Sequence, residues 1–520
     1  TPGGSGMTGV GVRLAGARDG VGLSDLVGGV SAAFVLIPQA LAYAVLAGMP
    51  AERGLHVAAL APIAAAFFAS SPYLGTGPTA ITSLLTLGGL TALAVPGSAE
   101  YVALGALLAL VVGAVRVGMG LLHLGPVSYL ISRPVLTGFT SGAAVVIIAS
   151  QIPTVLDVAG SGANPLVAAF DALRRPGDWR PGSIAMAVAA ALLITGGRRI
   201  HRLFPGVLAA VVLAVVWTVV VGYDGGVVGE VKGGFPALTL DLPWASVPRL
   251  ILPALVIAVV GFAEPAAIAR HYATLERTYW DPNRELVSQG MANLAAAVGG
   301  GFPAGGSFTR SALVREAGAR TRLAGGVTGV VVLLLLPFTS VLEHLPTAVL
   351  GAGIIMAVRS LITVAPFVDY RRYTRLQFGV AVVTFGLTVA LAPHVERAVV
   401  AGVVLAIGAH LWREFRVTVR TWTEGATVHL APKGVLYFAS APLLEEHLGR
   451  LLSQTPGARD LVVHLDGLGR IDVSGALGLR EMLEQAEAAG LDTEVRDVPP
   501  QAQKLVRRVL DGRYGSAGAH

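Results

Sequence analysis

Long apolar segments recur along most of this chain, and they constrain its fold more than any other feature. Between about Asp25 and Phe415, candidate helices begin near residues 25, 54, 79, 101, 135, 182, 203, 250, 285, 309, 323, 346, 376 and 396. Most of these segments approach the roughly 20 residues that a helix needs to cross a bilayer. Only 13% of the residues are charged, whereas about 25% is usual for a soluble domain. The sequence therefore predicts an α-helical polytopic membrane protein with fourteen transmembrane segments.

The arginines of the apolar region fall mainly in the loops that follow even-numbered predicted helices. These loops contain Arg198, Arg199, Arg202, Arg270, Arg277, Arg284, Arg320, Arg322, Arg371, Arg372 and Arg375, whereas the alternate loops contain mostly acidic residues. Because positive residues favour the cytoplasmic side, we expect both termini in the cytoplasm, in an inner or plasma membrane. Arg174 and Arg175 are the exception, and the side on which they lie stays open.

The same distribution limits the function classes. The net charge of +6 comes from these loops, so it indicates topology and no nucleic-acid partner. The chain has no cysteine, and its eleven histidines are scattered. We therefore expect no metal, no cofactor and no enzymatic activity. Residues 1–6, TPGGSG, resemble a tag remnant within a short cytoplasmic segment of residues 1–20.

A polar break interrupts the second half of the membrane region at PAGGSFTRSALVR, residues 303–315. Gly305 and Gly306 interrupt a helix, and Ser307, Thr309 and Ser311 are suited to cap the helix that restarts. The new N-terminus would present unpaired N–H groups and the positive end of a dipole, which together favour an anion. In the alternative interpretation, this is a cytoplasmic loop in which Arg310 and Arg315 bind lipid phosphates.

The first half of the chain has a matching break at GTGPTAITSLLTLGGL, residues 75–90. Matching interruptions in two halves are typical of transporters with inverted repeats and a central site. Seven helices per half would invert the second half relative to the first. We place the membrane domain at residues 21–420, with repeats at about 21–222 and 247–415.

The composition changes after Arg420, where short strands and helices alternate. We predict strands at 427–430, 435–438, 461–465 and 493–498, and helices at 442–453, 475–489 and 501–510. This pattern predicts a cytoplasmic α/β domain over residues 424–514.

Four motifs resemble the sulfate-permease (SulP) family of anion transporters, whose relatives include pendrin and prestin. They are IPQALAYAVLAGMP (37–50), ISRPVLTGFTSGAAVVIIASQIP (131–153), NRELVSQGMANLAAAVGGGFPAGGSFTRSALVREAG (283–318) and DLVVHLDGLGRIDVSGALGL (460–479). The resemblance implies a 7+7 inverted repeat divided into core and gate subdomains, a C-terminal STAS domain and a homodimer. It also implies that the third and tenth spans are half-length, that each follows a short strand, and that the anion binds between their N-termini.

The substrate-binding residues implied by the resemblance are Gln39, Tyr43, Thr79, Ala80, Ile81, Phe308, Thr309, Arg310 and Ser311. Two facing helix dipoles and one arginine favour a small anion with one or two charges, so we expect secondary active transport of sulfate, bicarbonate, chloride or short carboxylates and dicarboxylates. A nucleobase symporter of the same fold, an anion channel and a non-transporting anion sensor that signals through the STAS domain remain alternatives.

Glu264 is an acidic residue about fourteen residues into the apolar eighth span. In one interpretation it pairs permanently with a cation such as Arg310. In the other it takes up H⁺ as the anion arrives, which would make the protein a proton-coupled symporter. In the tail, Ser474 lies where related domains carry a phosphorylatable serine, although Asp472 and Gly475 are also explained as a helix cap. A cytosolic partner is expected at this domain.

Overall fold

The structure is a computed structural model that describes residues 22–126, 131–160, 162, 164–200, 206–231, 233–414, 418–437 and 441–510. Two compact units divide the chain, one of residues 1–404 and one of residues 405–520. The predictions for residues 1–20, including the tag remnant, and for Arg202, Phe415 and Phe438 lie outside the described residues.

Fourteen helices begin within about three residues of the predicted starts, which confirms the predicted fold class. They are α1 (Leu23–Leu46), α2 (Ala51–Phe68), α3 (Ala80–Leu90), α4 (Ala99–Leu121), α5 (Arg133–Leu156), α7 (Pro181–Ile200), α8 (Gly206–Trp217), α9 (Val247–Leu275), α10 (Pro282–Val298), α11 (Phe308–Glu316), α12 (Leu323–Leu335), α13 (Thr347–Val358), α15 (Arg375–Ala390) and α16 (Val395–Glu414). Two further short helices are α6 (Pro165–Leu173) and α14 (Ala365–Tyr373). A π-helical turn, Thr218–Gly222, extends α8, and a 3₁₀ segment, Leu336–His344, extends α12.

Two of the predicted spans are short, and each follows a strand of three residues. The third, α3, has 11 residues and follows β1 (Gly75–Gly77), whereas the tenth, α11, has 9 residues and follows β2 (Gly305–Ser307). Among the described residues, seven helical stretches are long and apolar enough to cross a membrane, and neither α3 nor α11 is one of them. Both helices are therefore too short to cross a bilayer, so each can begin partway through the membrane domain.

Small residues allow the long helices to pack closely. Gly138 and Gly142 lie four residues apart on α5, and a side chain at either position would collide with α15 near Ala381 or Thr388. This spacing is the small-residue pattern that brings membrane helices together without a hydrophobic driving force.

In its described residues, the second unit contains a five-stranded sheet and three helices after the end of α16. Its elements are β3 (Thr418–Glu424), β4 (Thr427–Leu436), α17 (Ala441–Gln454), β5 (Asp460–His464), β6 (Leu468–Ile471), α18 (Val473–Ala488), β7 (Asp492–Arg496) and α19 (Pro500–Val509). The strand order is β3-β4-β5-β7, with β6 also paired to β4, and only the β3–β4 pair is antiparallel. The domain class is as predicted, whereas β3 and β6 were not predicted. The expected strands at 427–430 and 435–438 were also wrong in detail, because one strand runs through a register shift at Gly434 and Val435.

Candidate functional site

The two short strands meet each other, which brings the starts of α3 and α11 together. β1 pairs with β2 in antiparallel register, with Gly75 opposite Ser307 and Gly77 opposite Gly305. We call the paired strands β1 and β2 the crossing. Each helix starts within three residues of its strand, so both N-termini lie next to the crossing. The first N–H groups of a helix have no partner within the helix, and the dipole places a partial positive charge there. The crossing therefore directs two positive helix ends towards one region.

The two N-termini differ in their capping. Thr79 is the N-cap of α3, and its hydroxyl oxygen accepts a hydrogen bond from the Thr82 backbone at 3.4 Å. Ser307 is the N-cap of α11 but makes no side-chain cap. The backbone N–H groups in the first turn of α11 therefore receive no cap from the Ser307 side chain.

A cavity of about 430 Å³ lies beside both N-termini. Seven of the nine predicted binding residues line it, as does Glu264: Gln39, Tyr43, Thr79, Ala80, Ile81, Phe308 and Thr309. The remaining lining comes from Leu136, Thr137 and Thr140 of α5, Val260, Ala263 and Ala267 of α9, Ser307, and residues 357, 358, 360, 361 and 363. Most of this surface is apolar and carries a small number of polar side chains, as expected for a site that orients a small polar ligand.

Arg310 lies behind this lining and is 1% exposed. Its Nη1 donates to Gln39 Oε1 at 3.3 Å, and its Nη2 donates to the Gly75 carbonyl at 3.3 Å. Its Nε has no hydrogen-bond partner. Arg310 therefore contacts the cavity through Gln39, and its burial disagrees with the alternative in which it binds lipid phosphates at a cytoplasmic loop.

Ser311 is also absent from the cavity wall. It is fully buried, donates to the Ser307 carbonyl at 2.7 Å and accepts from the Gly75 backbone at 2.9 Å. The expectation that Ser311 caps α11 was wrong, because its hydroxyl instead joins the first turn of α11 to β1.

Glu264 lies on α9 directly before Pro265. Its carboxylate is close enough to the Phe308 backbone N–H and to Arg310 for both to act on its charge, but it forms no ion pair with Arg310. The structure therefore does not contain the permanent ion pair between Glu264 and Arg310 that the first interpretation of Glu264 expected. The predicted proton uptake is not tested by these contacts and stays a prediction.

Two buried amides on α10 hold the crossing in place. The Gln289 side chain donates to the Thr76 hydroxyl at 2.9 Å. Asn293 accepts from the Ala304 backbone N–H at 2.9 Å and donates to the Ala304 carbonyl at 3.3 Å. One helix thus supports both strands, as expected for hydrogen-bonding residues between membrane helices.

Sequence reasoning missed Arg116, a fully buried arginine on α4. Its guanidinium donates to the carbonyls of Ile257 at 2.9 Å, Ala258 at 3.2 Å and Ala304 at 3.1 Å. The available signal was a single arginine inside an otherwise apolar predicted span.

A second cavity of about 610 Å³ lies near the C-terminal end of α1, lined by residues that include Met49, Gln151 and Asp157. A narrow space of only about 20 Å³, which we call the passage, adjoins both cavities. It shares Gln39, Tyr43 and Ala357 with the first cavity, and Ala42, Leu350 and Ile354 with the second. Since this volume is about that of one water molecule, the passage is closed to a hydrated anion.

In the second unit, Ser474 is exposed in the first turn of α18. Asp472 is the N-cap of that helix and accepts from the Gly475 backbone at 2.7 Å. The capping interpretation of the motif is therefore confirmed, whereas phosphorylation of Ser474 stays a prediction. Among the described residues, no three histidine or acidic side chains are grouped so that they could hold a metal ion.

Comparison with protein-family models matches two segments of the chain. Residues 23–384 match the sulfate permease family, and residues 420–509 match the STAS domain. A probable sulfate transporter of Mycobacterium tuberculosis is 34% identical over 393 residues, which cover 74% of this chain and 69% of the relative. A sodium-independent sulfate anion transporter of Bos taurus is 28% identical and covers 90% of this chain and 82% of the relative.

Solved structures with the same fold are also found. The murine solute carrier 26 family member A9 anion transporter, in an inward-facing state, matches with a TM-score of 0.85 at 19% identity, over 94% of this chain and 87% of that chain. The transmembrane domain of a cyanobacterium bicarbonate transporter matches with a TM-score of 0.63 at 23% identity, over 74% of this chain and 97% of that chain.

Proposed function

Because this chain belongs to the sulfate permease family, we propose that it is a secondary active transporter that moves a small anion with one or two negative charges by alternating access. The observation that carries the proposal is the pairing of β1 with β2, which brings the N-termini of α3 and α11 to one cavity. Two helix ends supply partial positive charge and N–H donors without a bound cation, and this combination suits an anion.

The proposed substrates are sulfate, bicarbonate, chloride and short carboxylates or dicarboxylates. Relatives that are named as sulfate and bicarbonate transporters support the two oxyanions. Donors that approach from two helix ends suit a ligand with several acceptor oxygens.

Alternating access is supported by the arrangement of the two cavities, both of which adjoin the narrow passage. The narrow passage is lined by α1 on one side and by α7, α8 and α13 on the other. A relative movement of these groups of helices would open the passage and could close the first cavity, as in transporters built from inverted repeats.

We further propose that Glu264 couples transport to H⁺. Its carboxylate lies in the cavity wall beside the start of α11, where an arriving anion would repel it. Proton uptake by Glu264 would remove this repulsion, so the anion and the proton would enter and leave the site together.

The test is uptake of labelled sulfate and labelled bicarbonate into proteoliposomes that contain the purified protein, with protein-free liposomes as the control. We expect saturable uptake, inhibition by an excess of the other small anions, and faster uptake under an inward proton gradient. Uptake of uracil with no anion uptake would favour the nucleobase symporter. Ionic current far above carrier rates would favour a channel, and anion binding without flux would favour a sensor.

The STAS domain, which we place at residues 424–514, is proposed to assist folding, homodimer contact or binding of a cytosolic partner, with both termini in the cytoplasm. Deletion from residue 425 tests this role. Retained but altered transport would indicate regulation, whereas loss of the folded protein would indicate a required part.

A further inference from the structure

Arg116 carries a buried positive charge that no carboxylate neutralises. Its side chain is 0% exposed, and its three hydrogen-bond acceptors, Ile257, Ala258 and Ala304, use only their backbone carbonyls. In the part of the chain that the structure describes, no acidic side chain forms an ion pair with it. Carbonyl dipoles satisfy the donors of a guanidinium but leave its net charge in place, and such a charge acts strongly across a low-dielectric interior.

The guanidinium lies directly behind the start of α3. Its acceptor Ala304 precedes Gly305, where an added Cβ would lie 3.2 Å from both the Thr79 hydroxyl and the Thr82 methyl group. At Gly261, an added Cβ would lie 2.8 Å from Arg116 Nη2 and 3.3 Å from the Thr82 methyl group. Gly261 therefore lies next to both the guanidinium and the first turn of α3, whose N-cap Thr79 lines the cavity.

The charge of Arg116 adds to the other fixed charges near the cavity. Arg116 and Arg310 are both buried, and Glu264 is the acidic residue in the cavity wall. Their sum is one positive charge when Glu264 is ionised and two when it is protonated. A divalent anion that arrives with a proton would then leave the site neutral. Since Coulomb energy is proportional to the ligand charge, removing either arginine should weaken binding of a divalent anion more than that of a monovalent one.

We propose that Arg116 is a specificity-determining residue of the anion site, whose charge favours divalent over monovalent anions without contacting them. This inference rests on the proposed function. The competing role is a purely structural one, in which the three hydrogen bonds hold α4 against α9 and β2. The two roles predict different effects on anion preference when the charge is removed and when only the hydrogen bonds are disturbed.

Three substitutions separate the roles. Arg116→Gln keeps donors but removes the charge, and Arg116→Lys keeps the charge but loses the planar arrangement of donors. Gly261→Ala keeps Arg116 and pushes its guanidinium away from the carbonyls, because the new methyl group lies too close to Nη2. Arg116→Met is a second neutral variant, which removes the donors as well as the charge.

The measurement is inhibition of labelled-anion uptake by sulfate and by chloride in proteoliposomes, using the anion that the wild type carries. In parallel, binding of both ions to the purified protein is measured by the thermal stabilisation that each ion causes. We expect Arg116→Gln and Arg116→Met to lower the preference for sulfate over chloride about tenfold, which corresponds to about 1.4 kcal/mol. Arg116→Lys and Gly261→Ala should change this preference by less than about threefold, even where the transport rate falls.

Equal losses for sulfate and chloride in the neutral variants would overturn the inference and leave only the structural role. The same shift in preference for Gly261→Ala as for Arg116→Gln would also overturn it. A wild type that binds both ions but transports neither contradicts the proposed function alone, because the binding arm still tests the charge of Arg116. A wild type that binds neither ion but takes up another small anion overturns the inference alone, and one that binds and takes up no anion overturns both.

Discussion

Arg310 Nη1 lies 3.3 Å from Gln39 Oε1, at the wall of the cavity. A guanidinium has donors only, so it fixes the oxygen of the Gln39 amide towards itself. The amide nitrogen must then point away from Arg310, and Gln39 lines the cavity. Arg310 thus orients a side-chain donor for the ligand and does not need to touch the ligand itself.

Substitution of Gln39 tests this orientation. Gln39→Glu keeps an acceptor for Arg310 but replaces the N–H donors with a carboxylate, so we expect the KM for the transported anion to rise about 10- to 100-fold, as for loss of a charge-assisted hydrogen bond. Gln39→Ala removes the donors without adding charge and should have a smaller effect. The measurement is initial uptake rate against anion concentration. Equal KM values for Gln39→Glu and the wild type would contradict the assigned orientation.

The backbone at the start of α11 is a second source of donors. Thr309 is the second helical residue, a position where proline fits the helix and removes only an N–H that has no intrahelical partner. We expect Thr309→Pro to weaken anion binding about tenfold, whereas Thr309→Ala, which removes the hydroxyl but keeps the N–H, should change it less. Anion-dependent thermal stabilisation of the purified variants measures both. If the alanine variant loses as much affinity as the proline variant, the hydroxyl is the more important donor.

Asn293 on α10 supports the crossing, so its replacement should lower the transport rate without changing the selectivity between anions. Asn293→Leu leaves the buried Ala304 N–H without its acceptor, at a cost of about 1 to 3 kcal/mol. We expect a lower unfolding temperature and a lower Vmax, with unchanged relative inhibition by different anions. Asn164, which caps α6 outside the crossing, provides the matched Asn164→Leu control for stability. A changed anion preference in Asn293→Leu would mean that Asn293 acts on the ligand.

Much of this site follows from local sequence, and the rest depends on long-range contacts. Gly75, Gly77, Gly305 and Gly306 mark the breaks, and the hydroxyl-rich segments after them mark the two short helices. Segment length and hydropathy predict the long spans, whereas α3 and α11, with 11 and 9 residues, are too short to be recognised in this way.

The contact partners of the missed features have no local signal. Arg116 finds its acceptors 141, 142 and 188 residues away, and nothing in α4 itself indicates those carbonyls. Ser311 bonds to β1 for the same reason, across 236 residues. In the STAS domain, the two strands predicted at 427–430 and 435–438 form one strand, β4, which pairs with β3 as far as Lys433.

The cap of α18 gives a prediction for the STAS domain. Asp472→Ala removes the side-chain acceptor of the Gly475 N–H and should destabilise the start of α18 by about 1 kcal/mol. Ser474→Ala should be nearly neutral, since Ser474 is exposed and not the cap. Hydrogen exchange of the α18 amides in the full-length protein compares the two. Faster exchange in Ser474→Ala than in Asp472→Ala would contradict the assignment of the cap.

Glu264 provides the sharpest test of coupling. Glu264→Gln removes the titratable proton but keeps the size and polarity of the side chain, so we expect anion binding to persist while the stimulation by an inward proton gradient disappears. Glu100→Gln, at the exposed start of α4, is the matched control and should respond to the gradient like the wild type. The measurement is labelled-anion uptake with and without the gradient, together with anion-dependent thermal stabilisation. At high pH, the deprotonated Glu264 carboxylate would repel the anion. Uptake by the wild type should therefore fall as the pH rises on both sides of the membrane, whereas uptake by Glu264→Gln should stay nearly constant. A Glu264→Gln variant that still responds fully to the gradient would assign the coupling to another group or leave the transport uncoupled.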